Sequence, residues 1–250
     1  MLSKLSILIW FIFQALSRFM HGMHIRILAP LCYYACCFFQ TRSRMLFNAT
    51  KLSCVRQDRI LFTDVDIQLS AGDILQIAGR NGAGKSSLLR ILAGLSEPSE
   101  GLLYYQAVEL AKCHDDYAAD LCFIGHLSGV QGQLTALENL QFWRACWQLK
   151  AADDWQLLAT LGLAGLEDIP CQHLSAGQQR RVSLARLWLT PARIWILDEP
   201  FTALDQSAIG LLQAHFQLHC ANGGAIILTT HQPLPMLASQ LRQLELEYRW

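Results

Sequence analysis

The sequence predicts an α/β domain with a mainly parallel core sheet. Short apolar runs typical of strands alternate along the chain with segments of helical spacing, and such alternation favours parallel strands joined by helices. A glycine-rich turn follows one of the predicted strands, and residues 135–189 form an almost purely helical stretch. We interpret that stretch as part of a helical subdomain, at about residues 127–190, inserted into a domain that spans residues 45–250.

The individual elements follow from the spacing of the apolar residues. Strands are indicated where apolar residues alternate or form short runs, and helices where they recur every three or four residues. The predicted strands are 60–69, 73–79, 102–105, 121–125, 194–197 and 225–228. The predicted helices are 85–93, 135–147, 153–161, 177–189 and 205–218. In the second of these helices, Leu140, Trp143 and Trp147 form an apolar stripe that either packs inside the subdomain or faces a partner.

The composition indicates one or two globular domains without the charge of a nucleic-acid binder. The 250 residues are 52% hydrophobic and 16% charged, and 20 basic residues balance 20 acidic ones. A dedicated nucleic-acid binder carries a basic excess, so we expect no nucleic-acid partner.

The nine cysteines form no C-x-x-C pair. We therefore expect reduced thiols in a reducing compartment rather than zinc ligands or disulfides.

Residues 1–44 differ in composition from the rest of the chain. They carry five basic residues and no acid, whereas 15 basic and 20 acidic residues follow them. Their apolar runs are too short to span a bilayer, and joining the runs would bury Arg18 and Arg26 near its centre. A secretory signal, an amphipathic segment at a membrane surface and a segment outside the folded protein all fit this composition. We expect the last, with translation starting at or near Met45.

The glycine-rich turn has the pattern G-x-x-x-x-G-K-[ST] of a phosphate-binding loop. It lies between a predicted strand and a predicted helix, which is the context that such a loop requires. Its backbone N–H groups and the positive end of the helix would face the phosphates of a nucleotide. We expect Lys85 to reach the β- and γ-phosphates and Ser86 to ligate Mg²⁺. The predicted nucleotide-binding residues of this loop are Gly79, Arg80, Asn81, Gly82, Ala83, Gly84, Lys85, Ser86 and Ser87.

Two acidic residues end an apolar strand further along the chain. A buried strand that delivers a carboxylate to its carboxyl end is how a P-loop ATPase holds Mg²⁺, directly or through water. Asp198 is predicted to take that role. Glu199, the next residue, is predicted to polarise the attacking water as a general base.

A pentapeptide at residues 174–178, Leu-Ser-Ala-Gly-Gln, opens a predicted helix. With the phosphate loop, it makes the chain resemble the ATP-binding cassette (ABC) ATPases, whose signature reads LSGGQ. Asp205, in an Ala-Leu-Asp triplet, resembles the D-loop of that family, and His231 resembles the H-loop histidine that contacts the γ-phosphate. The resemblance covers roughly residues 45–232. It implies an ABC ATPase domain of the P-loop NTPase fold, with a mainly parallel core sheet, an antiparallel β part and an inserted helical subdomain.

The resemblance also implies what the site binds and how it is completed. In ABC ATPases the signature of one subunit closes the nucleotide site of another, so we expect a second copy of the chain in an ATP-sandwich dimer. ATP and Mg²⁺ are the implied cofactors, and Lys85, Glu199 and His231 are the implied catalytic residues. The residues expected to face nucleotide across the dimer interface are Ser175, Gly177, Gln178 and Asp205.

Two positions depart from the family pattern. Where the family has a glutamine that senses Mg²⁺ and the attacking water, this chain has His126, with Gln131 and Gln133 in the same loop as alternatives. We include His126 among the candidate catalytic residues. Where the family stacks an aromatic side chain on adenine, residues 55–58 contain none, which leaves the guanidinium plane of Arg56.

The resemblance narrows to one subfamily. Strings such as Ile-Gly-His at 124–126 and Leu-Thr-Thr-His-Gln-Pro-Leu at 228–234 resemble the ATP-binding subunits of bacterial cytochrome c maturation haem exporters. That resemblance implies a peripheral ATPase on the cytoplasmic face of the inner membrane, serving haem export or release of a haem-loaded chaperone. It implies CcmB-like and CcmC-like transmembrane subunits as partners, with residues 126–147 facing them. No C-x-x-C-H motif is present, so we expect no direct haem binding. The alternatives are the ATPase subunit of another ABC exporter and a soluble ABC ATPase scaffold.

Overall fold

The computed structural model describes residues 45–57, 59–150, 152–234, 237 and 241–247. Our expectations for residues 1–44 lie outside this part of the chain. Within it, no helix combines the length and the apolar character needed to cross a membrane.

Strands and helices alternate along most of the described chain, as the sequence predicts. The strands are β1 (Met45–Arg56), β2 (Arg59–Ser70), β3 (Ile74–Gly79), β4 (Glu100–Tyr105), β5 (Val108–Glu109), β6 (Leu121–Ile124), β7 (Ile194–Asp198), β8 (Ala225–Thr229) and β9 (Leu241–Leu246). The helices are α1 (Lys85–Leu92), α2 (His114–Ala119), α3 (Ala136–Cys146), α4 (Asp154–Thr160), α5 (Ala176–Leu184), α6 (Arg186–Leu189) and α7 (Gln206–Ala221). Short 3₁₀ turns cover Leu110–Lys112 and Cys171–His173.

A five-stranded parallel sheet lies at the centre of the described residues. Its strand order is β6-β7-β8-β3-β9, and each neighbouring pair runs parallel. Every residue of β7 and β8 is buried, as expected for strands covered on both faces. Because parallel strands end at the same edge, the residues that follow β3, β6, β7 and β8 meet there.

A second sheet of the described chain is antiparallel, with the strand order β2-β1-β4-β5. It confirms the expected antiparallel part of the fold. β1 is not among the predicted strands, because register shifts break its alternation. Lys51 has a φ of 50°, and Leu52, Ser53 and Cys54 are buried in succession. Leu52 shares one buried cluster with Leu88 of α1, so this sheet packs against the helix that follows the phosphate loop.

The helical stretch has a buried cluster of its own. Leu140 and Trp143 of α3 are buried in this cluster with Leu158 of α4 and Val182 of α5, and Trp147 is half-buried at its margin. The apolar stripe therefore packs inside the subdomain.

Some predicted elements differ from the observed ones. The helix predicted over residues 177–189 divides into α5 and α6, because the N–H of Ala185 bonds the carbonyls of both Arg181 and Val182 at 3.1 Å and tightens that turn. β9 is not predicted because it is a polar edge strand, with three of its six residues exposed. The short elements β5 and α2 are also not predicted.

Candidate active site

An open cleft of about 580 Å³ lies at the carboxyl edge of the parallel sheet. Residues predicted from four separate motifs meet in it: the phosphate loop, the acidic pair, and the two histidines of the loops after β6 and β8. The lining residues are Leu61, Asn81, Gly82, Gly84, Lys85, Ser86, Ser87, His126, Asp198, Glu199, Thr202 and His231.

The phosphate loop connects β3 to α1 and leaves the start of that helix open. Gly84 is the N-cap of α1, and no described side chain caps the helix, so its first N–H groups can bind an anion. Gly79 has a φ of 135°, and a Cβ there would meet the carbonyl oxygen of Leu246 at 2.6 Å, so glycine is required where the loop begins. The Nζ atom of Lys85 donates to the carbonyl oxygens of Gly79 at 2.6 Å and Arg80 at 3.4 Å, and thus lies across the loop.

The carboxylate of Asp198 joins the phosphate loop to the neighbouring strand. Its Oδ2 accepts a hydrogen bond from Ser86 Oγ at 2.8 Å, and its Oδ1 accepts one from Thr229 Oγ1 at 2.7 Å. Thr229 ends β8 and lies directly opposite Asp198 in the register of β7 with β8. A hydroxyl and carboxylate oxygens this close together are ligands that Mg²⁺ prefers, so the residues present fit that ion.

Glu199 begins the turn after β7 in a left-handed backbone conformation. Its φ is 49°, and its N–H donates to Thr229 Oγ1 at 2.9 Å. One of its carboxylate oxygens, Oε1, lies 3.5 Å from Nε2 of His231. The Glu199 side chain is 21% exposed and that of His231 is 63% exposed, so water in the cleft reaches both. The carboxylate is therefore placed to accept a proton from water.

Arg180 also holds this turn. It lies in α5, and its guanidinium donates to the carbonyl oxygens of Asp198 and Glu199, both at 2.8 Å, and of Gly125 at 3.3 Å. Arg180 is only 8% exposed. Burial, with the nearby charge of Arg186, lowers the pKa of Arg180. The helix that begins at the signature is thus bonded to the strand end that carries the acidic pair.

Of the three candidates for the family's glutamine position, His126 is the one that lines the cleft. Gln131 and Gln133 make other contacts. The backbone N–H of Gln131 donates to Asn139 Oδ1 at 2.9 Å, and the side-chain amide of Gln133 donates to Gln172 Oε1 at 3.1 Å.

The signature residues lie outside the cleft of their own chain. Ser175 is the N-cap of α5 and forms a reciprocal capping box with Gln178. A Cβ at Gly177 would meet the carbonyl oxygen of Ala203 at 2.6 Å, so the glycine lets the helix approach the loop before α7. The chain therefore does not bring its signature to its own phosphate loop.

Asp205, the predicted D-loop residue, also lies outside the cleft. It caps α7, because its Oδ1 accepts the N–H of Ala208 at 2.8 Å, and its Oδ2 pairs with Arg181 at 2.6 Å. The hydrogen bond from Ala208 and the positive charge of Arg181 lower the pKa of Asp205. Asp205 thus links α7 to the signature helix.

Four residues of the site are not predicted from the sequence. Leu61 and Thr202 line the cleft, and Thr229 and Arg180 bond the acidic pair from outside it. No local pattern marks Thr229 and Arg180, since their hydrogen bonds to Asp198 join residues distant in the chain. Arg56, the residue considered for adenine, is exposed at the end of β1 and is not a lining residue.

The fold and the cleft together define the class of protein. A phosphate loop before a helix, an acidic pair at the end of a parallel strand, and a signature helix bonded to that pair are the features of an ABC-type ATPase. The chain belongs to the ABC transporter family, because the family model with that description matches residues 62–202.

Similar proteins carry a more specific name. The cytochrome c biogenesis ATP-binding export protein CcmA of Shewanella oneidensis is 48% identical over 209 residues, which are 82% of this chain and 95% of that protein. The protein of the same name from Idiomarina loihiensis is 50% identical over 204 residues, or 82% of this chain and 94% of its own length. A solved structure of an ATP-binding subunit of an ABC transporter matches with a TM-score of 0.71 at 26% identity, covering 80% of this chain and 85% of that one. These similarities confirm the expected fold class and the resemblance to cytochrome c maturation subunits.

Proposed function

We propose that this chain hydrolyses ATP as a subunit of a membrane transport complex for cytochrome c maturation, serving haem export or release of a haem-loaded chaperone. The observation that carries the proposal is the cleft that Lys85 of the phosphate loop lines together with Asp198 and Glu199. The 50% identity to a cytochrome c biogenesis export protein supports cytochrome c maturation as the process that ATP hydrolysis serves.

Each group in the cleft has a role in the proposed reaction. Lys85 and the N–H groups of the phosphate loop bind the β- and γ-phosphates, since both present positive charge. Ser86 and Asp198 would hold Mg²⁺, which when bound neutralises charge on the phosphates. Glu199 accepts the proton of the attacking water on a carboxylate oxygen. His231, 3.5 Å from that carboxylate, contacts the γ-phosphate.

A second copy of the chain completes the site in this proposal. The N-terminus of α5 presents N–H groups and the Ser175 hydroxyl, which suit an anion, yet it lies outside the cleft of its own chain. A head-to-tail pair would bring the signature of one copy to the ATP held by the other. Gln178 supports that contact by capping the signature helix. Asp205 supports it by pairing with Arg181 of the same helix.

The proposed partners are CcmB-like and CcmC-like transmembrane subunits, at the cytoplasmic face of the inner membrane. The loop after β6 supports a docking role because it is both exposed and anchored. Leu127 is 86% exposed, whereas the carbonyl oxygen of the next residue, Ser128, accepts from Ser183 at 2.7 Å and from Arg186 at 2.8 Å. A loop held in one position loses little conformational freedom when a partner binds it, which supports contact through this loop. The proposal assigns haem to the partners and not to this chain.

Deleting the gene in its own bacterium is expected to abolish covalent haem attachment to c-type cytochromes, because the proposed complex would lack its ATPase. Haem-stained gels of membrane and periplasmic fractions measure this loss, and b-type cytochrome spectra serve as the internal control. A plasmid copy of the wild-type chain should restore attachment, and a Lys85→Ala copy should not. Normal c-type cytochromes in the deletion strain would contradict the proposal and favour another ABC exporter.

A further inference from the structure

Thr229 bonds both acidic residues of the site at once. It ends β8 and is completely buried, with 0% of its surface exposed. Its Oγ1 lies 2.7 Å from Oδ1 of Asp198 and 2.9 Å from the backbone nitrogen of Glu199. Thr229 does not line the cleft, so it acts on the reaction only through these two neighbours.

The direction of both hydrogen bonds is fixed by the groups involved. A backbone N–H only donates, so the Thr229 hydroxyl accepts from Glu199, and its single proton goes to Asp198. Ser86 donates to the other oxygen of the same carboxylate at 2.8 Å. The carboxylate plane of Asp198 is therefore set by two hydroxyls, one from the phosphate loop and one from β8.

The backbone of Glu199 depends on its neighbours, because it lies in the left-handed region, with a φ of 49°. Residues other than glycine avoid that region unless their surroundings hold them there. Arg180 holds the carbonyl oxygen of Glu199 at 2.8 Å, and Thr229 holds its N–H. Without the hydroxyl, the backbone that carries the Glu199 side chain is held from one end only.

We propose that Thr229 is a positioning residue of the ATPase, whose one buried hydroxyl orients the Asp198 carboxylate and the Glu199 base together. This inference rests on the roles proposed above for those two acids. Thr229 reaches the loop that binds the phosphates through Asp198, whose other carboxylate oxygen accepts from Ser86. It therefore affects the rate of hydrolysis and the use of Mg²⁺ more than the affinity for ATP.

Thr229→Val tests the hydroxyl, since valine keeps the shape of threonine and lacks its oxygen. In the full-length chain we expect kcat for ATP hydrolysis to fall about 10²-fold, as small misplacements of reacting groups do, with a KM for ATP within about twofold of wild type. The Mg²⁺ concentration that gives half the maximal rate should rise. Thr229→Ser restores the oxygen and should recover most of the rate and the wild-type Mg²⁺ dependence.

Thr190→Val is the matched control, because the Thr190 hydroxyl accepts one backbone N–H, that of Ala192 at 3.2 Å, outside the cleft. It should leave kcat unchanged. If Thr229→Val does not fold, Thr229→Cys, with a thiol that forms weak hydrogen bonds, should give an intermediate fall in kcat.

Two results would overturn the inference: a folded Thr229→Val or Thr229→Cys chain with wild-type kcat and Mg²⁺ dependence, or a Thr229→Ser chain as slow as Thr229→Val. Failure of the proposed function gives a different result. In that case Lys85→Ala and Glu199→Gln would also hydrolyse ATP at the wild-type rate.

Discussion

The Glu199→Gln chain should still bind ATP but hydrolyse it far more slowly than the wild-type chain. An amide does not accept the proton of the attacking water, and general bases contribute about 10²–10⁴-fold, so turnover should fall by about that factor. Lys85 and the hydrogen bond of 2.8 Å between Ser86 and Asp198 are untouched by the substitution, so the affinity for ATP should persist. Phosphate release and equilibrium binding of a fluorescent ATP analogue measure the two quantities separately.

Two further variants serve as controls for the loss of hydrolysis expected in Glu199→Gln. Lys85→Ala removes the ammonium group that lies across the phosphate loop and should weaken nucleotide binding itself. Glu97→Gln changes an exposed glutamate outside the cleft and should alter neither binding nor turnover. Near-wild-type turnover in Glu199→Gln would show that another group accepts the proton.

The same Glu199→Gln chain should dimerise when ATP is added, and a second substitution, Ser175→Arg, should abolish that dimerisation. Unhydrolysed ATP holds two copies together in the proposed pair, because the signature of each copy contacts the ATP of the other. An arginine at the N-cap fills the space in front of the helix N-terminus that the nucleotide would occupy. Light scattering at matched concentrations, with and without ATP, measures the change in mass.

A matched control separates loss of the interface from loss of the helix cap. Thr135 and Glu138 form a second capping box, at α3, of the same kind as that of Ser175. Thr135→Arg removes a cap of equal type, costing about 0.5–2 kcal/mol, without touching the signature. The chain with Glu199→Gln and Thr135→Arg should still dimerise with ATP. A Glu199→Gln chain that stays monomeric at saturating ATP would contradict the composite site.

Two pairs of cleft residues are anticipated because their chemistry lies in neighbouring positions, whereas His126 and His231 are anticipated from the family resemblance. Lys85 and Ser86 follow the glycines of one turn, and Asp198 and Glu199 end one buried strand, so a local pattern marks each pair. Thr229 and Arg180 are not anticipated, because their hydrogen bonds to Asp198 join residues 31 and 18 positions apart. Those bonds depend on which strands are neighbours and on how α5 packs against β7.

Strands with a local apolar pattern could be predicted, and strands shaped by bulges or by an edge position could not. β7 and β8 are predictable because burial on both faces requires uninterrupted apolar runs. β1 escapes prediction because its bulges bury successive residues, and β9 because an edge strand tolerates polar side chains. The sequence leaves the stripe of Leu140 and Trp143 ambiguous, since an apolar face fits a core or a partner equally well. The structure buries both side chains in the core of the subdomain.

Mixing two inactive variants tests most directly whether two copies share one nucleotide site. The Lys85→Ala chain lacks a working phosphate loop but keeps its signature, and the Ser175→Arg chain has the opposite defect. Each alone should hydrolyse ATP at the background rate. In the mixture, pairing should join the Lys85 of one chain to the Ser175 of the other, and phosphate release should rise well above the sum of the separate rates. A mixture no more active than its components would contradict the composite site.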